Sequence, residues 1–185
     1  MRCIMRMARR LPGTGFFLAF VMASAVFSAN ASESGNSVSA GLPLPSGEVL
    51  LIIDGAIQKV NIGAQAHFDM EMIEGLSVRR LHTSTAVTDG VRQFDGFLMR
   101  DLLEMVGVQG TLVEAKALNH YSVDIPIADF HDYDVLLATH MDGERLLPSG
   151  KGPFWIVYPR DDWRQLQDIR YDYRWVWQLN RLTVK

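Results

Sequence analysis

The sequence has a single cysteine, Cys3, and it sits among arginines at the very start of the chain. Arg2, Arg6, Arg9 and Arg10 precede an apolar stretch from Leu11 to Phe27, with no acid among them. Small residues follow, and Ala29-Asn30-Ala31 has the A-x-A form of a processing site before Ser32. That order of segments predicts a cleavable secretory signal over residues 1–31. The competing reading is a transmembrane anchor. It fits less well, because the apolar core is short and broken by Pro12, Gly13 and Gly15. Cys3 is not at the cleavage site, so a lipoprotein is not expected. Cleavage leaves a chain without cysteine, which excludes a disulfide, a thiolate metal ligand and a cysteine nucleophile.

Other signatures are missing as well. The sequence has no P-loop, no G-x-G-x-x-G, no G-x-S-x-G and no H-E-x-x-H. His67, His82, His120, His131 and His140 include no pair at i, i+2 or i, i+4, so a histidine metal centre would need distant pairing. No motif advertises a Ser-His-acid arrangement. Loss of four arginines moves the formal net charge from −3 to −7. A surface that acidic argues against nucleic acid as a partner.

What remains after cleavage, 154 of the 185 residues, suits one domain with a single core. Residues 32–47 are rich in Ser, Gly, Asn and Pro and read as a flexible leader, leaving 48–185 as the folded domain. Val49 to Ile53 and Ala56 to Ile62 flank Asp54-Gly55 and predict a hairpin. Asp69 is placed to cap a short helix that stops near Gly75. Ser77 to Thr85 reads as a strand, with turns at Asp89-Gly90 and at Phe94-Asp95-Gly96. A helix follows with Leu98, Leu102 and Met105 on one face, joined by Leu103 and Val106, and Gly107 ends it. Thr111 to Leu118 and Tyr121 to Ile127 read as strands flanking Asn119-His120. A short helical piece over Ala128 to Tyr133, strands at Val135 to Met141 and Phe154 to Tyr158, and one or two helical turns within Asp161 to Asp168 complete the middle. The last strand is expected from about Tyr171. Its apolar parity changes between Trp175, Trp177, Leu179 and Leu182, Val184, which predicts a β-bulge between Gln178 and Arg181.

Three segments carry more polar or aromatic character than a fold requires. His82-Thr83-Ser84-Thr85 ends a strand; its plain reading is a hydroxyl-rich strand exit. Asn119-His120-Tyr121-Ser122 reads plainly as a β-turn with a solvated histidine. In Tyr173-Arg174-Trp175-Val176-Trp177, two indoles at i, i+2 share a face, with Arg174 opposite. One Trp suits the core, and the other offers a stacking face for a flat ligand.

Phe94-Asp95-Gly96 with Leu98 to Leu103, Tyr121-Ser122-Val123-Asp124-Ile125-Pro126, Asp134-Val135-Leu136-Leu137-Ala138, Met141-Asp142-Gly143-Glu144-Arg145-Leu146 and Lys151 to Pro159 occur in this order. Together they resemble the molybdopterin-binding domain of the sulfite oxidase family, over about residues 48–184. They are most similar to its short exported members, which end in a segment like Trp177-Gln178-Leu179. The resemblance implies an α+β fold, a mixed, barrel-like β-sheet structure with short helices, and a cleft for a pterin. It also implies a cysteine ligand to molybdenum at about His82 to Thr85, where this chain has none; hydroxyl oxygens would not reproduce that centre. Short exported relatives include periplasmic pterin-binding proteins that report to an inner-membrane cyclic-dinucleotide enzyme. The expectation is therefore a non-enzymatic periplasmic sensor subunit for a free pterin. The alternative is a molybdopterin-dependent oxidoreductase with non-cysteine ligation, and a third possibility is an interaction module with an empty cleft. On the pterin reading, Trp177 or Trp175 and Tyr121 supply faces and Asp89 takes the pyrimidine edge. Arg174 donates to the carbonyl or ring nitrogens, and His82, Ser84 and Thr85 hold the remainder.

Overall fold

The computed structural model describes residues 41–185. The secretory signal expected over 1–31, and the leader up to residue 40, lie outside the described residues. Among the described residues no helix is long and apolar enough to cross a membrane.

Among the described residues ten strands form two five-stranded sheets. The first joins β1 (Leu51–Gly55), β2 (Ala66–Phe68), β5 (Leu112–Ala117), β6 (Ser122–Pro126) and β10 (Leu179–Val184), in the order β2-β1-β10-β5-β6. The second joins β3 (Val78–Thr85), β4 (Thr88–Leu98), β7 (Leu136–Met141) and β8 (Glu144–Arg145), with β9 (Trp155–Val157) also paired to β7. Four short helices, α1 (Met70–Glu74), α2 (Met99–Val106), α3 (Ile127–Asp132) and α4 (Ile169–Asp172), connect them. The first sheet is mixed, because β1 runs parallel to β10 while their other neighbours are antiparallel, and the second is antiparallel throughout.

Local signals built α1 and α2 as expected. Asp69 caps α1 by accepting from Met72 N at 3.0 Å, and Gly75 closes it. The same carboxylate accepts from the backbone N–H of Gly47 at 2.8 Å and of Ser46 at 2.6 Å, which fastens the end of the leader to the domain. These hydrogen bonds, Met72 first and Gly47 next, hold the Asp69 carboxyl below its ordinary range. Helix α2 buries Met99, Leu102, Leu103 and Val106 and ends on Gly107 in the left-handed conformation, φ 65°.

Non-local pairing overrode three expectations. The run after Asp54-Gly55 does not fold back as a hairpin. Ile53 and Gly55 instead face Leu182 and Val184 across the parallel β1–β10 pair, and β2 supplies the other neighbour. Asp89-Gly90 is not the turn either. The chain turns at Ala86-Val87, where Thr85 Oγ1 accepts from Val87 N at 3.1 Å. Asp89 and Gly90 are the extra residues between the pairs Thr85↔Thr88 and Ser84↔Val91. Phe94-Asp95-Gly96 lies inside β4 rather than in a turn, at a register shift against β7.

Gly96 is required there by close approach. A Cβ at this position would lie 2.1 Å from Leu137 O and 2.7 Å from Ala138 Cα, both backbone atoms. Gly96→Ala is therefore expected to lower stability by about 2 kcal/mol, since the β4–β7 pair must part to admit a methyl group. Urea denaturation of the two proteins side by side measures it.

The last strand begins at Leu179, not at Tyr171, which belongs to α4. Its bulge is present: Leu179 faces Ala117 and Arg181 faces Lys116, so Asn180 is the extra residue. One core draws buried residues from both sheets, and an aromatic chain runs through it. Trp155 meets Phe94, Trp175 and Trp177 edge-on, and Tyr158 lies between Trp175 and Tyr171.

Candidate functional site

A cleft of about 410 Å³ opens where three loops meet. The β3–β4 turn contributes Ala86 and Val87, and the β5–β6 turn contributes Asn119 and Tyr121, with Ala117 beside them. Ile169 and Asp172 of α4, followed by Tyr173, Trp175 and Trp177, make the remaining wall. The combination of aromatic faces with few polar groups is that of a small-molecule site.

Each wall is held from behind. Tyr121 is 42% exposed, yet its hydroxyl donates to Tyr173 O at 2.7 Å and ties the β5–β6 turn to the segment after α4. Partial burial raises the Tyr121 phenol above its ordinary range. Asn119 Oδ1 accepts from Tyr121 N at 3.0 Å, and His120 between them takes a left-handed conformation, φ 69°. Trp175 is 3% exposed and forms the inner wall, while Trp177 is half-buried at the rim. Trp177 is fixed by an isolated bridge to Trp155 and by Lys151 Nζ, 4.5 Å from its ring centroid. One indole in the core and one on a more open face is the division expected of this pair.

Of the residues proposed from sequence, Tyr121, Trp175 and Trp177 come together here. Ser84 and Thr85 stand just behind the Ala86-Val87 wall, but their hydroxyls are engaged. Ser84 donates from N and Oγ to Asp161 at 2.6 and 2.5 Å, and Thr85 Oγ1 pairs with Thr88 Oγ1 at 2.8 Å. His82 is exposed on β3 and Asp89 is exposed in the β4 bulge, and neither lines the cleft. Arg174 does not line it either. It turns to Asp129 of α3, and its guanidinium lies 4.6 Å over the Tyr171 ring. Tyr158, fully buried, donates to the same Asp129 oxygen at 2.9 Å. Burial first, and the Asp129 charge second, push the Tyr158 phenol well above its ordinary range.

Two further polar residues line the cleft: Asn119, which lies in one of the three segments singled out above without a role of its own, and Asp172, which escaped the sequence reading. Nothing local marks Asp172, since one carboxylate in a four-residue helix has the pattern of a solvated surface.

The aromatic-walled cleft is thus set on the loops of a two-sheet α+β domain. Residues 67–162 match the family described as oxidoreductase molybdopterin binding domain, and the chain belongs to that family. No curated protein sequence matches it. Among solved structures, the sulfane dehydrogenase SoxCD from Paracoccus pantotrophus is similar, with 20% identity and a TM-score of 0.56. The alignment covers 79% of this chain and 40% of that one, so this chain spans well under half of its length. At that identity the likeness shows a shared fold.

Molybdopterin makes two separate demands on such a domain. Its pterin needs aromatic or apolar faces with polar groups at the edge, and Tyr121, Trp175 and Trp177 line this cleft together with Asn119 and Asp172. A thiolate-held metal needs a cysteine, and none occurs among the described residues. The hydroxyls at 83–85 are committed to neighbours, and among the described residues no three His, Cys, Asp or Glu side chains cluster as metal ligands. The residues present fit the pterin and not a thiolate-bound molybdenum.

Proposed function

We propose that the cleft binds a pterin and that the chain acts, after export, as a periplasmic sensor subunit. Its output passes to an inner-membrane partner in cyclic-dinucleotide signalling. The observation that carries the pterin half of this reading is the aromatic cleft of Tyr121, Trp175 and Trp177 beside a strand end that has no metal-binding thiol. Trp177 and Trp175 supply stacking faces. A binder without catalytic groups acts only through a second protein that distinguishes its empty and occupied forms. Three loops converge on the cleft, so occupancy changes the surface such a partner would read.

A second reading is a molybdopterin-dependent oxidoreductase with non-cysteine ligation. Membership of an oxidoreductase family favours it. One preparation separates the two. Protein recovered from the periplasm of its native host is expected to begin near Ser32, to release a fluorescent pterin on denaturation, and to hold no stoichiometric molybdenum. Molybdenum near one atom per chain would establish the second reading. Absence of any pterin would remove the first. Recovery from membranes of a sensor protein whose yield changes with added pterin tests the signalling half.

A further inference from the structure

We propose that the outer edge of β3 takes up an extended segment of a partner protein as an added strand, with an acidic residue beside Arg79 and an apolar one beside Val78. This surface lies outside the cleft, and its pairing does not depend on what the cleft binds.

β3 ends one side of the second sheet and has eight residues, whereas β8 has two, β9 three, β2 three and β6 five. Edge strands are usually kept short, because their unpaired backbone groups invite another strand. Along an antiparallel pair, alternate residues turn their backbone groups toward the partner strand and away from it. Gln93 O accepts from Asp142 N at 2.8 Å, on the β7 side of β4, so the Gln93 backbone turns away from β3. His82, opposite Gln93, therefore turns its own N–H and C=O outward. Ser84 has the same parity, and its N–H leaves the sheet to reach Asp161 at 2.6 Å. Val78 and Arg80 share that parity. Among the described residues the outward backbone groups of Val78, Arg80 and His82 have no strand beside them.

Side chains of an added strand would alternate between the two faces, and each face has a cavity against β3. One, about 500 Å³, is lined by Arg79 and Leu81 together with Pro159 and Trp163. The other, about 440 Å³, is lined by Val78 and Arg80 together with Phe97 and His140. The charged residues of β3 itself are Arg79 and Arg80. Arg80 is held by Asp95 at 2.7 Å, whereas Arg79 is exposed and in no ion pair among the described residues. The acids of the first cavity, Asp132, Asp134 and Asp162, belong to other segments, and Asp134 already pairs with Arg100 at 2.6 Å. Val78, on the opposite face from Arg79, is 66% exposed. A carboxylate therefore complements one face of the edge and an apolar side chain the other. A second copy of this chain fits worse. Two β3 edges paired through all three outward residues would set Arg80 against Arg80, and like charges directly opposite are destabilising. Strand addition takes affinity from the main chain and specificity from alternate side chains, which is what this edge offers.

A random dodecapeptide library displayed on phage, selected against the full exported protein, tests this. Enriched peptides are expected to carry an acidic residue next to an apolar one. The best of them, synthesised with methylated backbone nitrogens at one parity, should lose about 10-fold or more in affinity, and little at the other parity. His82→Pro removes an outward N–H without touching the β4 ladder and should cause a similar loss. Arg79→Glu should shift the preference from acidic to basic peptides. Thermal melting checks that both variants are folded; if His82→Pro is not, the methylated peptides and Arg79→Glu decide. No enrichment, enrichment of neutral or basic peptides by the wild type, or binding indifferent to methylation overturns the proposal. A dimer in sedimentation that His82→Pro converts to monomer assigns the edge to a second copy and overturns it as well.

Discussion

Asp129→Ala is expected to cost about 3 kcal/mol of folding stability. Removing this carboxylate strands Arg174 and the Tyr158 hydroxyl at once. Breaking a buried pair by deleting one partner costs about 3–5 kcal/mol, because the remaining charge stays desolvated. The low end applies here, since Arg174 is 22% exposed and Asp129 10%. Tyr158→Phe should cost about 1.5 kcal/mol, the loss of one hydrogen bond to a charged acceptor. Urea midpoints at neutral pH measure both. The same site predicts an alkaline transition. The Tyr158 phenol is raised in the folded protein, burial being the larger cause. Below about pH 10, the ordinary tyrosine value, folded and unfolded chains are both protonated and this stabilisation is complete. Above it the unfolded chain ionises first, so stability falls as pH rises. Tyr158→Phe should flatten that alkaline decline. An identical decline in the variant would show that another group causes it.

Trp177→Ala should weaken pterin binding by roughly 30-fold. A stacked aromatic face contributes about 1 kcal/mol beyond burial, and lost apolar contact adds on the order of another. A factor of ten is about 1.4 kcal/mol. Trp177→Phe keeps a face and should retain most of the affinity. Trp177 also contacts Trp155 and Lys151, so a melt of each variant must accompany the calorimetry. If Trp177→Ala binds as tightly as the wild type, the stacking face lies elsewhere. Arg174→Ala is expected to act through stability, together with Asp129, and not as a lost ligand contact.

Much of the fold was legible where the signal is local. Asp69 and Gly107 are capping residues whose conformational preferences act over one helical turn, and both α1 and α2 end where those preferences require. The Asn119-His120 turn separates β5 from β6 because both runs have strand periodicity around a residue pair that suits a tight turn. The bulge in β10 was legible for a related reason. A change of apolar parity within one half-buried strand has no other regular solution.

The candidate site was legible only in part. Trp175, Trp177 and Tyr121 announce themselves as large aromatic groups near turns. Arg174 and Asp172 do not, because a charged residue's role depends on what is opposite it. Arg174 finds its partner 45 positions away and turns from the cleft, whereas Asp172, two residues earlier in the chain, remains on its wall.

By itself, the sequence determined the absence of cysteine beyond residue 3, the acidic balance, the helix ends, the bulge and the aromatic supply, since each is a property of composition or of a few neighbouring residues. The tertiary structure alone decided that β1 lies parallel to β10, that the Asp89-Gly90 pair widens a strand instead of turning it, and which carboxylate reaches the cleft. Those outcomes depend on pairing between distant segments, where buried neighbours and unmet hydrogen bonds outweigh any local preference.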